Sequence, residues 1–204
     1  NIVPDTTAPA FLSGESNDAG TLITLNYDES FDYSSQPLAS DFTITAADQS
    51  FQPSSISLSD STVSLDLTNN PITPGDSVTV SYTGNALRDD AGNASAALSA
   101  QAITNNVLDT TAPSLVSAST SEDGTAISLV YNELLKDRVS PYHFLIGIAG
   151  LTSVSPSAAS ISGSTVTLTP AETISAGDAV SISYNPSSES SSNGIQDAAG
   201  NLAE

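Results

Sequence analysis

The sequence has no cysteine, methionine or tryptophan, and it has a single histidine. No disulfide can therefore brace the chain, and a core must be packed from aliphatic, phenylalanine and tyrosine side chains. Basic residues are scarce, because 3 lysines and arginines stand against 23 aspartates and glutamates for a net charge of −20. Such a surface repels nucleic acids and anionic membranes, so neither is expected as a partner. No run of 18 apolar residues occurs, so no membrane-inserted helix is expected.

A pentad, Asp-Thr-Thr-Ala-Pro, occurs twice in the chain. It spans Asp5–Pro9 and returns at Asp109–Pro113, 104 positions later (109 − 5). This recurrence indicates two copies of one unit in tandem, and it predicts domains at residues 1–108 and 109–204. The chain begins inside the repeated pattern and opens with no signal peptide, so we expect it to be a segment of a longer protein.

Other blocks recur between the copies with small changes in offset, which is typical of loops that vary in length between strands. The matched blocks are Tyr27–Glu29 with Tyr131–Glu133, Gly75–Asp76 with Gly177–Asp178, Val78–Tyr82 with Val180–Tyr184, and Asp89–Asn93 with Asp197–Asn201. These matches assign positions in one copy to corresponding positions in the other.

The residue pattern predicts an all-β fold. Apolar and polar residues alternate with a period of two, and β-branched residues are frequent in the alternating segments. The first copy contains seven such segments, near Phe11, Leu22–Tyr27, Phe42–Thr45, Ser54–Leu58, Thr62–Leu67, Ser77–Thr83 and Ala97–Ile103. Seven short strands in about 100 residues predict an immunoglobulin-like β-sandwich for each copy. Asn132–Ser140 is interpreted as a loop with a turn of helix.

The two copies differ after their Gly-Asn dipeptides. The first copy continues from Asn93 into its last predicted strand, whereas the second has three residues after Asn201. We therefore expect the second sandwich to lack its last strand and to expose an unpaired sheet edge. We expect that edge to be covered by another copy or to fray.

Three carboxylates of each copy are predicted to converge. In an immunoglobulin-like sandwich the start of the first strand, the end of the second and the loop after the sixth lie at one end. This places together Asp109, Glu133 and Asp197 in the second copy, and Asp5, Glu29 and Asp89 in the first. Close carboxylates repel one another, and a hard divalent cation relieves that repulsion.

Calcium is the cation this pattern favours, because it binds six to eight oxygens from carboxylates, carbonyls and asparagine side chains. Asn105 and Asn106 are expected to add oxygens to the second cluster. Oxygen-only ligands disfavour zinc and copper. The alternatives stay open: Asp-x-Ala-Gly-Asn is also a turn pattern, the pentad is also a linker whose proline limits sheet pairing, and general acidity also serves solubility.

The pentad, Tyr-Asn-Glu, Gly-Asp-x-Val-x-(Val/Ile)-Ser-Tyr and Asp-x-Ala-Gly-Asn together resemble the tandem immunoglobulin-like repeats of giant bacterial surface proteins. These are the SwmB-type repeats and the extender domains of RTX adhesins, and the resemblance covers essentially the whole chain. It implies a long, secreted cell-surface stalk in which calcium stiffens each domain junction. The implied partners are neighbouring repeats of the same polypeptide.

Other functions are less favoured by the residues. The only histidine, His143, corresponds to Asp41 in the first copy, so a shared catalytic base is absent and no enzyme activity is expected. The alternative function is a ligand- or glycan-binding module of a secreted protein. The first copy lacks the serine-rich insertion at residues 186–194. Such a module would bind its ligand through this insertion, and the other interpretation is a flexible loop.

Overall fold

The computed structural model describes residues 3–186 and 194–203. The chain forms two compact units, Asn1–Leu108 and Asp109–Glu204, which we call unit 1 and unit 2. Both are built of β-strands, and the described residues contain no helix long and apolar enough to cross a bilayer.

Unit 1 is an immunoglobulin-like sandwich of eight strands. They are β1 Phe11–Ser16, β2 Leu22–Tyr27, β3 Phe42–Ala46, β4 Gln49–Phe51, β5 Ser55–Ser59, β6 Thr62–Asp66, β7 Val78–Tyr82 and β8 Leu98–Ile103. Two antiparallel sheets have the orders β1-β2-β6-β5 and β4-β3-β7-β8. The prediction of seven strands was wrong by one, because β4 follows a tight turn through Ala47 and Asp48 and is too short to show alternation.

Unit 2 repeats this plan with six strands among its described residues. They are β9 Leu115–Thr120, β10 Ile127–Tyr131, β11 Phe144–Ile148, β12 Ala158–Ser162, β13 Thr165–Thr169 and β14 Val180–Tyr184. The sheets have the orders β12-β13-β10-β9 and β11-β14. A single bridge between Ile146 and Val154 takes the place of β4. No strand follows β14 in the described part of unit 2, which confirms the expected lack of a last strand there.

The cores lie between the sheets and follow from the period-two pattern. Ile23 and Leu25 of β2 are fully buried against Ile44 and Val80 of the facing sheet. Each fully buried aliphatic side chain contributes about 1.5–3 kcal/mol relative to exposure. Unit 2 is packed in the same way around Ile127, Leu168 and Phe144 and their neighbours. Packing of the cores holds the strand ends, and hence the loops, in place.

The turn of helix expected within Asn132–Ser140 lies one step further along the chain. A 3-10 helix spans Pro141–His143, and the hydroxyl of Ser140 accepts from the Tyr142 amide at its start. Unit 1 has the matching 3-10 helix at Ala39–Asp41. The expectation was wrong in position because proline favours the first turn of a helix, and Pro141 starts this one.

Candidate metal centre

The first carboxylate of each unit belongs to the repeated pentad. The side-chain oxygen Oδ1 of Asp109 accepts from the backbone amide of Thr111 at 3.0 Å. Asp5 and Thr7 make the same contact at the same distance. This local Asx turn, which Asp forms readily, fixes the carboxylate just before the first strand of its unit. The Asx turn engages one oxygen of each carboxylate, Oδ1 of Asp5 and Oδ1 of Asp109.

The second carboxylate lies just after the second strand. The residue before it binds the residue that precedes the first strand, because Asn132 Oδ1 accepts from the Ser114 amide at 2.7 Å. Asp28 Oδ1 accepts from the Ala10 amide at 2.7 Å in unit 1. The middle residue of the Tyr-Asp/Asn-Glu motif therefore joins the end of the second strand to the residue that follows the pentad, and the glutamate comes next in the chain.

The third carboxylate lies in the loop after β7 or β14, and a tyrosine holds that loop. The hydroxyl of Tyr184 accepts from the Ile195 amide at 2.7 Å, two residues before the loop aspartate. Tyr82 accepts from the Leu87 amide at 3.0 Å in unit 1. Both Ile195 and Leu87 are fully buried, so the loop is anchored by packing as well as by the hydrogen bond.

The loop folds around Asp197 itself. Its Oδ1 accepts from the amides of Gly200 and Asn201 at 2.6 and 2.8 Å, and its Oδ2 accepts from the Asn201 side chain at 2.7 Å. Gly200 has a φ of 102°, which only glycine adopts easily. The turn interpretation of Asp-x-Ala-Gly-Asn is therefore correct, and the turn also presents the carboxylate.

One contact in each unit was not predicted from the sequence. The side-chain amide of Asn201 also donates to the backbone carbonyl of Asp109 at 3.0 Å, and Asn93 donates to the carbonyl of Asp5 at 3.3 Å. The last residue of the loop motif thus ties the loop to the pentad. Its recurrence at the same place in both copies was the only signal that pointed to it.

These three elements bring the predicted carboxylates together in each unit. The clusters are Asp109, Glu133 and Asp197, and Asp5, Glu29 and Asp89, with one oxygen of each residue within 4.8 Å of the others. In each cluster one buried glutamate oxygen, Oε1 of Glu133 or Oε2 of Glu29, has no hydrogen-bond partner. A buried oxygen without a partner is costly, so these atoms suit a ligand that supplies positive charge.

The clusters change the acidity of their members in opposite directions. Burial raises the pKa of Glu133 above its usual value, and repulsion from Asp197 and Asp109 raises it further. Burial would also raise the pKa of Asp197, but the hydrogen bonds from its own loop outweigh burial and lower it. Glu29 and Asp89 show the same two directions in unit 1. Each site therefore holds an aspartate whose pKa is lowered beside a glutamate whose pKa is raised.

The oxygen geometry fits a calcium-sized ion. Two oxygens that bind one ion at 2.3–2.6 Å lie at most about 4.6–5.2 Å apart, and the clustered oxygens all lie within 4.8 Å of one another, so they are close enough to share such an ion. All three side chains are carboxylates, which suits a hard cation better than zinc or copper. Repulsion from the neighbouring aspartates raises the pKa of Glu29 and of Glu133 in addition to burial.

The two clusters differ in their surroundings. Asp28 and Asp90 line the same open cleft as the carboxylates of unit 1, and the matching positions in unit 2 are Asn132 and Ala198. The first cluster therefore lies in a more negative environment than the second. Because nearby negative charge attracts cations, the two clusters are not expected to attract a cation equally.

Asn105 and Asn106 make hydrogen bonds inside unit 1. The Asn105 side chain donates to the carbonyl of Thr73 at 2.8 Å and accepts from the Val107 amide at 3.1 Å. The Asn106 side chain donates to the carbonyl of Ser16 at 3.1 Å. The two asparagines are thus ordered by their own unit, and their role as additional metal ligands stays a prediction.

The family described as "Putative flagellar system-associated repeat" (SWM repeat) matches residues 4–87 and 108–189. No curated protein matches the sequence at a significant level. Among solved structures, the collagen binding domain of the Erysipelothrix rhusiopathiae surface protein RspB is similar at 9% identity and a TM-score of 0.18, covering 88% of this chain and 82% of that one. Because the two family matches cover more than half of the sequence, the chain belongs to the SWM repeat family as a tandem pair of repeats.

Proposed function

We propose that the chain provides calcium-rigidified extender repeats of a large bacterial cell-surface adhesin and projects a distal binding region away from the cell. The role is non-enzymatic and extracellular, and the partners are neighbouring repeats of the same polypeptide. One observation carries the proposal: the same three-carboxylate cluster occurs at the same place in both units, each with an unpartnered buried glutamate oxygen. A site repeated in every unit serves a property that accumulates along a chain, such as stiffness.

The ion would act on the segment that enters each unit. Asp109 is the first residue of unit 2, Glu133 follows β10, and Asp197 lies in the anchored loop after β14. An ion bound to all three would fasten the entering segment to two loops of its sandwich. Weak extracellular sites bind calcium at about 10⁻⁴–10⁻³ M. At about 100-fold excess over that value, one site stabilises the bound state by about 2.7 kcal/mol.

Small-angle X-ray scattering tests the stiffening. When calcium is added, the maximum dimension of the full chain should increase and the range of conformations that fits the scattering curve should narrow. A chelator should reverse both changes. The Asp109→Ala, Glu133→Ala double variant should lose the response. The matched control is Glu122→Ala with Glu172→Ala, which removes two negative charges from exposed positions. A maximum dimension that ignores calcium in the unmodified chain would contradict the proposal.

The alternative of a ligand- or glycan-binding module centred on residues 186–194 has no structural observation behind it. Residues 187–193 lie outside the described part of the chain. The extender role depends instead on the pentad, the strand-end glutamate and the anchored loop, which are present in both units.

A further inference from the structure

Two of the three basic residues of the chain lie against the loops that carry the third carboxylate. The basic residues are Arg88, Lys136 and Arg138, against 23 aspartates and glutamates. In unit 1, Nη1 of Arg88 donates to the backbone carbonyl of Gly92 at 2.9 Å. In unit 2, a Cβ atom on Gly200 would lie 3.4 Å from Nζ of Lys136. Because Gly92 and Gly200 are the matching glycines of the two Asp-x-Ala-Gly-Asn loops, one positive charge lies beside the same glycine in each unit.

The two charges reach this place from different positions in the sequence. Arg88 directly precedes the loop of unit 1, where unit 2 has Gln196, and Lys136 follows β10, where unit 1 has Asp32. The same backbone hydrogen bond joins both pairs. The Asp32 amide donates to the Arg88 carbonyl, and the Lys136 amide donates to the Gln196 carbonyl, each at 2.7 Å. The copies thus differ at both positions and share the positive charge beside the loop, which indicates that its place in the fold is what matters.

In unit 1 the charge lies close to the carboxylate cluster. Asn93, the residue after Gly92, donates its backbone amide to Oδ1 of Asp89 at 2.7 Å. A single peptide group separates this hydrogen bond from the one that Arg88 makes with the Gly92 carbonyl. Standard backbone dimensions therefore place Nη1 of Arg88 within about 8 Å of the Asp89 carboxylate.

In unit 2 the corresponding charge is similarly close. The Gly200 amide donates to Oδ1 of Asp197 at 2.6 Å, and Nζ of Lys136 lies beside the α-carbon of the same glycine. Backbone dimensions place Nζ within about 9 Å of the Asp197 carboxylate. Both distances are close to the Debye length, about 8 Å at physiological ionic strength, so neither charge is fully screened from its cluster.

A charge at this place acts in opposite directions on the empty and on the occupied cluster. Three neighbouring carboxylates attract it when no ion is bound, whereas a bound divalent cation repels it. Guanidinium and ammonium groups carry only hydrogen-bond donors, so neither side chain can itself be a metal ligand.

We propose that Arg88 and Lys136 are tethered counter-ions that set the calcium affinity of their clusters. Each one partly offsets the repulsion among the carboxylates when no ion is bound, and each one lowers the affinity for calcium. This inference rests on the proposed calcium-binding function and adds the residues that tune it. A lowered affinity suits the weak range of extracellular calcium sites, about 10⁻⁴–10⁻³ M, in which occupancy follows the calcium concentration outside the cell.

Isothermal titration calorimetry on the full chain at low ionic strength tests each site separately. Glu133→Gln leaves only the first site intact, and adding Arg88→Gln should tighten calcium binding there by about three- to tenfold. Glu29→Gln leaves only the second site intact, and adding Lys136→Gln should have the same effect on it. The matched control for Arg88→Gln is Arg138→Gln, which removes the third positive charge at an exposed position of unit 2 and should change the affinity of the first site by less than twofold.

Further variants separate the charge of Arg88 from its hydrogen bond. Arg88→Lys keeps the charge and should stay within about twofold of the unmodified affinity. Asp32→Lys combined with Arg88→Gln returns the charge from the side that unit 2 uses, and should bring the affinity back to the unmodified value or below it. Added sodium chloride should reduce the difference between Arg88→Gln and the unmodified chain, because salt screens this interaction. In chelator, Arg88→Gln should lower the melting temperature of unit 1 by about 2–4 °C.

The outcomes distinguish this inference from the function on which it rests. Calcium binding that is equally tight in the unmodified first site and in Arg88→Gln would overturn the inference and leave the calcium site in place. A gain in affinity that Arg88→Lys shares, or that salt does not reduce, would also overturn it, because the hydrogen bond rather than the charge would then be responsible. Absence of calcium binding to either site would overturn the proposed function and this inference together. Arg88 and Lys136 are both at least partly exposed, so the variants should fold, as circular dichroism would verify.

Discussion

The side-chain amide of Asn201 donates to the backbone carbonyl of Asp109 at 3.0 Å across 92 positions of sequence. The same amide group donates to Oδ2 of Asp197 at 2.7 Å, so one asparagine joins two of the three clustered residues. Asn93 makes the same pair of contacts with Asp5 and Asp89 in unit 1. The arrangement ties the pentad to the loop aspartate through protein contacts alone, so an ion at this place would have less to order.

Asn201→Ala should destabilise unit 2 and weaken its ion site. The substitution removes two hydrogen bonds, one of them to a charged group, which predicts a loss of about 1–3 kcal/mol in the free energy of unfolding. Urea denaturation in chelator measures this loss. Asn70→Ala, at an exposed position in unit 1, should stay within about 0.5 kcal/mol of the unmodified chain. Equal stability of the two variants would show that the contact contributes nothing.

Glu133→Gln should have opposite effects on stability and on ion binding. Without calcium the neutral amide relieves the repulsion that Asp109 and Asp197 exert on this side chain, so unit 2 should become more stable. With calcium it is a poorer ligand, and the affinity of this site should fall by about tenfold or more. Thermal melting in chelator and in calcium measures both effects. Glu122→Gln, an exposed change of the same kind, should alter neither, and a shared sign for the two Glu133→Gln effects would contradict the account.

Calcium affinity should decrease as the pH falls toward the acidic range. Since the pKa of Glu133 is raised above its usual 4.5, the calcium-free folded state holds this proton more tightly than the unfolded chain. That contribution to stability is present below the usual pKa and is lost as the pH rises through the raised value. Calcium requires the carboxylate form, so binding should release a proton in this window.

Isothermal titration calorimetry in two buffers of different ionisation enthalpy measures the released protons. In the variant Glu29→Gln, which leaves only the second site intact, the heats should differ between the buffers near the raised pKa and agree at neutral pH. Adding Glu133→Gln should remove the difference. Identical heats at every pH would mean that calcium does not displace this proton.

Gly124→Ala should be among the most damaging single changes in unit 2. Gly124 has a φ of +67°, and an added Cβ would lie 1.9 Å from the carbonyl oxygen of Ile174. Strained backbone and this clash together predict a loss of about 2–4 kcal/mol. Gly177 has a φ of +92° with no atom within 4 Å of such a Cβ, so Gly177→Ala should cost about 1 kcal/mol. Chemical denaturation compares them, and equal losses would show that the close carbonyl is unimportant.

Much of the fold could be predicted because the same pattern appears twice. Alternation in β2 and its counterpart β10 indicated half-buried strands, and the motifs that end them placed Glu29 and Glu133 at matching positions. The convergence of three distant carboxylates followed from strand order alone. Alternation is visible in the sequence itself, and the strand order follows once the strands are assigned to an immunoglobulin-like sandwich.

Other features had no local pattern to reveal them. β4 is three residues long and mostly exposed, so neither length nor alternation marks it. The link from Asn201 to Asp109 uses a backbone carbonyl, which leaves no trace in residue type. The hydrogen bond from the Ile195 amide to the Tyr184 hydroxyl likewise depends on how far a loop folds back. Such contacts are set by tertiary packing, and the copy-to-copy match is the clue that sequence offers.

The most direct test of the ion site is a crystal structure of the chain grown with calcium. The account predicts an ion in each unit, with oxygens of Asp109, Glu133 and Asp197 in one and of Asp5, Glu29 and Asp89 in the other at about 2.3–2.6 Å. Data collected at a wavelength where calcium scatters anomalously would identify the ion. Both clusters free of an ion in saturating calcium, with their carboxylates ordered as described here, would contradict the account.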